Sequence, residues 1–169
     1  MAAGSTYTPI ATNTLGTAAS SVTFSSISGA YTDLVVISDC SVGSGTLYFG
    51  YQVGNGSVDT GSNYSYTYLL GSGTAASSGA AGGTILEPFT NTGANNRLNI
   101  ITSFQNYSNT TTYKTSLTRS NSPSNTRAVA ASVGLWRSTS AINTIKILSI
   151  DANNFNVGST FTLYGIAAA

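Results

Sequence analysis

Apolar and polar positions alternate along this chain with a period of two, in short runs broken by Gly, Asn, Ser and Thr. That is the pattern of half-buried β-strands separated by turns. Thr8 to Leu15 predicts a first strand, placed at a sheet edge because Pro9 cannot donate a ladder hydrogen bond. Val22 and Phe24 alternate cleanly and Ile27 falls out of step, which a β-bulge near Ser25 and Ser26 would correct. Leu34 to Ile37 is a continuous apolar run suited to a strand covered on both faces. Leu47, Phe49, Tyr51 and Val53 then alternate with Tyr48, Gly50 and Gln52. These two runs are expected as central strands joined by the glycine-rich turn Gly43 to Gly45.

After a turn-rich loop from Asn55 to Asn63, Tyr64, Tyr66, Tyr68 and Leu70 fall on one face of a strand, with Ser65 and Thr67 opposite. Gly71 to Gly83 is Gly, Ala and Ser with little apolar bulk, and is expected as a long flexible loop. Ile85 to Phe89 predicts a short strand ended by Pro88. Leu98, Ile100, Ile101 and Phe104 predict another, and Tyr113 and Leu117 belong to the next. Asn121 to Asn125 reads as a turn. A strand carrying Val129, Ala131, Val133 and Leu135 then ends at Trp136, the only tryptophan. The last third closes with two strands and a turn between them: Ile145, Ile147, Leu148 and Ile150, then Asp151 to Asn154, then Phe161 and Leu163 alternating with Thr160, Thr162 and Tyr164. The total is roughly eight to ten strands with sandwich-like turn spacing and no solenoid period. The expected fold is all-β: a single jelly-roll-like β-sandwich of antiparallel strands over residues 1–169.

Composition supports strands over helices. Charged residues are 7% of the chain, against about 25% in ordinary domains. There is one Glu, Glu87, and few of the Lys and Leu from which surface helices are made. Net charge is +1, with six cations scattered along the chain, so no phosphate-tracking nucleic-acid surface is expected. No run has membrane-spanning length and the first residues lack signal-peptide features, so we expect no membrane partner and synthesis without export. Low net charge also does little to keep copies apart.

The chain contains no histidine, which excludes Ser-His-Asp and Cys-His mechanisms and histidine metal sites. Asp33, Asp39, Asp59, Glu87 and Asp151 are spread out, and no pair has the local context of a two-carboxylate cleft. Asp151, Asn153 and Asn154 cluster oxygen ligands without EF-hand spacing, and a hydrogen-bonded turn explains them. Cys40 is expected as a small buried hydrophobe. We therefore expect no enzyme, no catalytic residue, no metal and no cofactor. What remains is recognition through uncharged surface, where aromatic anchors carry much of the energy. The candidates are Tyr64, Tyr66, Tyr68 and Trp136, although burial tendencies favour a core or rim position for each over an interface contact.

The tryptophan-ended strand, the Ser/Thr/Ala bridge, the isoleucine-rich strand, the Asn/Phe turn and the closing GSTFTLYG resemble the end of β-sandwich modules in virion proteins of tailed phages. SSVTFSSISGAYTDLVV from Ser20 to Val36 is similar to the start of those modules, and SNYSYTYLLGSGTAASS from Ser62 to Ser78 to their middle. The resemblance covers most of the chain as a pattern of packing residues. It implies a jelly-roll sandwich and a structural virion protein: a capsid decoration or cement protein on the capsid exterior, made in the host cytoplasm. Its partners would be the major capsid protein or another virion protein, and itself as a homo-oligomer such as a trimer. The alternative is a tail-fibre or spike module that recognises a host-surface glycan or receptor. Because the module starts within the first ten residues or so, with no shaft segment before it, a stand-alone piece is the expectation.

Overall fold

The period-two runs form strands, and every pairing between them is antiparallel. A computed structural model describes residues 6–88, 91–123, 128–151 and 153–167, and these contain strands but no helix. The larger sheet has eight strands in the order β1 (Tyr7–Thr14), β13 (Thr160–Ile166), β3 (Asp33–Cys40), β9 (Leu98–Gln105), β10 (Lys114–Ser122), β11 (Ala128–Trp136), β6 (Tyr64–Gly71) and β7 (Ala76–Gly83). The smaller runs β2 (Ser21–Phe24), β12 (Thr144–Ser149), β4 (Thr46–Asn55) and β5 (Ser57–Val58), with β8 (Asn91–Gly93) paired to the start of β4. The two sheets share one core, so the architecture is an all-β sandwich. Eight strands lie on one side and five on the other, whereas a jelly roll divides eight strands between two sheets.

The core is made by the inward residues of both sheets. Leu34, Val36, Leu98, Ile100, Phe104, Phe161 and Leu163 of the large sheet meet Val22, Phe24, Phe49, Tyr51, Val53, Ile145 and Ile147 of the small one. Aromatic rings cross the gap edge to face, with Tyr51 against Phe104 at 5.6 Å and 88°. Phe155, on the connection from β12 to β13, meets Phe161 at 5.1 Å and 63°. This is the geometry that ring quadrupoles favour. The Tyr51 hydroxyl is satisfied by Thr102 at 2.8 Å, and Thr102 lies 2.9 Å from Thr118, so a buried phenol is tolerated without cost from an orphaned polar group.

Several expectations hold and several need correction. β1 is an edge strand, and its register shifts between Pro9 and Ala11. Ile27 is buried at 6% exposure, with Ser26 in the left-handed region at φ 54°. The Ile27 N–H donates to Asn143 O at 2.9 Å, one residue out of step with the Phe24 to Ile145 register, which is the expected extra residue. Cys40 is buried. The Leu34 to Ile37 run is covered only in part: Leu34 and Val36 point into the core, and Ile37, outward, is 38% exposed.

Strands β3 and β4 are central, but in opposite sheets, so the Gly43 to Gly45 turn carries the chain across the sandwich. Gly45, at φ 71°, lies against the Asn153 side chain. The closing strands also part company, β12 entering the small sheet and β13 the large one. Alternation alone reports which face is buried and not which sheet a strand joins. In the Ile85 to Phe89 stretch, Leu86 makes a single bridge to Tyr51, and Phe89 lies outside the described residues. The Asn121 to Asn125 turn also falls partly outside them.

The largest correction concerns Gly71 to Gly83, expected as a flexible loop. It is the end of β6, a tight turn with Gly73 at φ 85°, and strand β7, which pairs with β6 from Tyr64 and Gly83 to Gly71 and Ala76. Small side chains deprive a strand of packing energy, but they do not prevent main-chain pairing to a neighbour that supplies the bulk. Here Tyr68 supplies it: a Cβ on Gly79 would lie 2.7 Å from the Tyr68 hydroxyl, so the ring lies over the glycine that faces it.

Candidate interaction surfaces

Two of the four proposed anchors do not reach a surface. Tyr64 has no exposed area and Trp136 is 3% exposed. They face each other as the last pair of β6 and β11, with rings stacked at 6.5 Å and 18°. Both polar ends are spent internally. The indole N–H of Trp136 donates to Asp59 at 2.8 Å, and the Tyr64 hydroxyl sits between Val53 O at 3.0 Å and Asp59 O at 2.8 Å. The expectation that Tyr64 and Trp136 anchor a subunit contact is therefore corrected: they close one end of the sandwich over the loop after β5. Asp59 also accepts from the Asn63 amide and the Gly61 N–H, both at 2.8 Å. These bonds, the one from Trp136 first, hold its carboxyl below the usual range.

Tyr66 and Tyr68 are half-buried on the inner face of β6. The Tyr66 hydroxyl donates to Glu87 at 2.8 Å, and burial followed by Glu87 pushes its pKa up to about 12. The face they share is thus a rim of the interior, so the four aromatics do not form one outward surface.

The acids are likewise dispersed among structural tasks. Asp33 accepts the Asn106 N–H at 2.7 Å where Asn106 has φ 48°. Asp39 pairs with Arg97 at 2.8 Å, Asp59 holds Trp136, and Glu87 holds Tyr66. Asn153 donates its amide to Thr46 O at 2.9 Å, so this member of the Asp151 cluster ties the β12 to β13 connection to β4. Among the described residues no group of three His, Cys, Asp or Glu side chains is placed to hold a metal ion. Lys114 is buried with its ammonium on the carbonyls of Thr112 at 2.6 Å and Thr139 at 3.1 Å, and burial lowers its pKa.

The surface that sequence reasoning missed is the outer face of the large sheet. On β11 the set read as a strand pattern, Val129, Ala131, Val133 and Leu135, points outward. Ala130, Ser132 and Gly134 point inward. On β10, Leu117 is outward and Ser116, Thr118, Ser120 and Ser122 inward. At Gly134 the inversion has a steric cause: Leu86 and Ser116 occupy the space beneath it. A Cβ on Gly134 would lie 2.5 Å from Ser116 Oγ and 2.9 Å from Leu86. Register aligns the displaced apolar residues into rows. Ile37, Ile101, Arg119, Ala131 and Leu69 form one, and Val35, Ser103, Leu117, Val133 and Thr67 the next. Leu69 is 65% exposed, Val129 61%, Val133 52% and Leu117 49%. Shallow depressions follow these rows, one lined by Val35, Ile101, Leu117 and Arg119 and another by Thr67, Ala80, Val133 and Leu135.

No protein-family model and no curated protein matches the chain. Among solved structures, a crystal structure of a protein of unknown function from Shewanella oneidensis MR-1 is similar at 9% identity and a TM-score of 0.23, over 98% of this chain and 77% of that one. A likeness at that TM-score carries no argument about fold or function.

Proposed function

We propose that the chain is a structural virion protein of a tailed bacteriophage, a decoration or cement protein that binds the outer surface of the capsid. The observation that carries this reading is the outward apolar face of the large sheet. Leu69, Leu117, Val129 and Val133 stand exposed there in a chain with 7% charged residues. Five strands about 4.8 Å apart and the two residue rows, each about 6.7 Å deep, make a patch of about 24 Å by 13 Å, or about 300 Å² in projection. Patches of about that size and above are commonly functional in soluble proteins. The resemblance to phage virion modules supplies the location, and the dispersal of acids into structural bonds favours binding over catalysis.

The test is to add purified protein to capsids that lack it and to measure co-sedimentation, with cryo-EM to locate bound subunits. Binding should survive a rise in salt, because screening acts on charges and the patch carries only Arg119. Replacing Leu117 and Val133 together by Ser should abolish it. No capsid binding at any concentration would overturn the reading, and binding to host cells or their glycans instead would establish the tail-fibre alternative.

A further inference from the structure

The two edges of the large sheet are built differently. At β1, Pro9 withholds a donor and the register breaks between Pro9 and Ala11, devices that discourage another strand from pairing. At β7 the sequence is Ala-Ser-Ser-Gly-Ala-Ala-Gly-Gly. It has no charge, no proline and no side chain larger than serine, and its pairing with β6 is unbroken over its full length. Such a sequence has little strand propensity of its own, yet it is held extended and exposed.

The free main-chain groups of β7 can be identified. Arg137 N–H donates to Asn63 O at 2.8 Å and Ser72 N–H to Ala75 O at 2.9 Å. The first bond sends the odd-numbered residues of β6 toward β11, and the second sends the even-numbered ones toward β7. Hydrogen-bonded pairs alternate along an antiparallel ladder. Ala76, Ser78, Ala80 and Gly82 therefore direct their N–H and C=O groups away from β6, where no described strand pairs with them.

We propose that β7 is a self-association edge: two copies join β7 to β7 antiparallel about a twofold axis, so that the large sheet of one chain continues into that of the other. Pairing Ala76 with the partner's Gly82 and Ser78 with the partner's Ala80 uses every outward group. The twofold repeats each pair, giving about eight main-chain hydrogen bonds, two per pair. This register sets Gly79 opposite the partner's Gly79 on the axis. The spacing there is the closest in the ladder, about 4.5 Å between Cα atoms, and neither residue brings a side chain. Shifting the register by two residues leaves outward groups unpaired. The self-complementarity of this register favours a second copy over a foreign strand. No charge on β7 opposes it, and the net charge of +1 adds little repulsion. A twofold edge makes dimers, whereas the trimer expected from the resemblance would use another surface. The proposal rests on sheet geometry and stands or falls separately from the virion reading.

Sedimentation of the full chain over a wide concentration range should give the mass of two chains. Ser78→Pro removes an outward N–H and leaves the β6 bonds in place, so the mass should fall by half with an unchanged β circular dichroism spectrum. Should that variant fail to fold, Ser78→Lys with Ala80→Lys places like charges opposite one another across the axis and should give the same halving. Ser77→Cys with Ala81→Cys should form a disulfide-linked dimer under mild oxidation, because each faces the other across the axis and the two lie too far apart within one chain. Ala76→Cys with Ala80→Cys, which fits the shifted register, should not. A monomer at all concentrations, a trimer, or a dimer indifferent to both the proline and the paired lysines overturns the proposal. Cross-linking of the second cysteine pair in place of the first overturns the register.

Discussion

The two halves of the large sheet solve the same problem in opposite ways. In β13, β3 and β9 the bulky residues Phe161, Leu163, Leu34, Val36, Ile100 and Phe104 point inward, buried against the small sheet. In β10 and β11, beyond the end pair Lys114 and Trp136, the inward positions include Ser116, Thr118, Ser120, Ala130, Ser132 and Gly134, and the bulky residues Leu117, Val129 and Val133 face out. Both halves alternate with period two, so both read equally well as strands. What differs is who fills the space beneath: in the first half the strands' own side chains, in the second, at Gly134, Leu86 from the connection after β7. A face lined with small residues belongs to the interior when its neighbours are large. An apolar face is then left outside, available for binding.

The sharpest way to break the comparison is to remove bulk from the first half. Phe161 has no exposed area and packs on Phe155, so Phe161→Ala should cost about 3–5 kcal/mol through lost burial and a residual cavity. Chemical denaturation would measure it. A loss under 1 kcal/mol would mean that the two sheets are not packed through this ring.

Adding bulk should break the second half. Gly134→Ala puts a methyl group 2.5 Å from Ser116 Oγ and 2.9 Å from Leu86. Overpacking of that kind should cost about 1–3 kcal/mol. Neutral behaviour would show that β11 has slack beneath it, against the steric account of the inversion.

A smaller effect tests the closed end shared by β6 and β11. Asp59 is favoured in its charged form by the Trp136, Asn63 and Gly61 donors, and its folded pKa is lowered. Its contribution is thus fully present above the unfolded-state value of about 4 and is lost as pH falls through the lower folded value. Asp59 is partly exposed, so solvent screening keeps the effect small. Asp59→Asn should cost about 1 kcal/mol or less at neutral pH and flatten the acid limb of the stability curve. An unchanged acid limb would assign that limb to other carboxylates.

How much of this was legible in the sequence follows from the same contrast. Alternation located most strands, and Pro9 and Ile27 disclosed an edge and an extra residue, because those signals are local. Partner choice was not legible: nothing in Leu34 to Ile37 or Leu47 to Val53 says that the two runs belong to opposite sheets. Strand β7 was missed because its pairing is carried by main-chain groups, which every residue has, and by Tyr68 over Gly79, a contact between residues of different strands. Tyr64 and Trp136 were read as candidate anchors because amphipathic aromatics suit interfaces and sealed rims alike. What separates the two is the partner of each polar end, here Asp59 and the Val53 backbone. Nothing local in the Ser-rich face of β10 and β11 marks it as the buried one, because the residues that cover it come from elsewhere in the chain.

The least disruptive change should be the most informative about function. Leu117 and Val133 sit opposite each other on β10 and β11, 49% and 52% exposed, with solvent on one side. Replacing both by Ser removes apolar surface that folding only half buries, so stability should move by about 0.5 kcal/mol or less per site. The same residues on the inner face would each cost several times that. Side chains with so little folding value, lined up as outward rows on the sheet, are the ones the proposed capsid contact would use. If the double variant folds with an unchanged melting temperature and loses capsid binding, the outer face is the binding surface. If it loses several kcal/mol on folding, the face is covered within the protein itself and the contrast between the two halves fails.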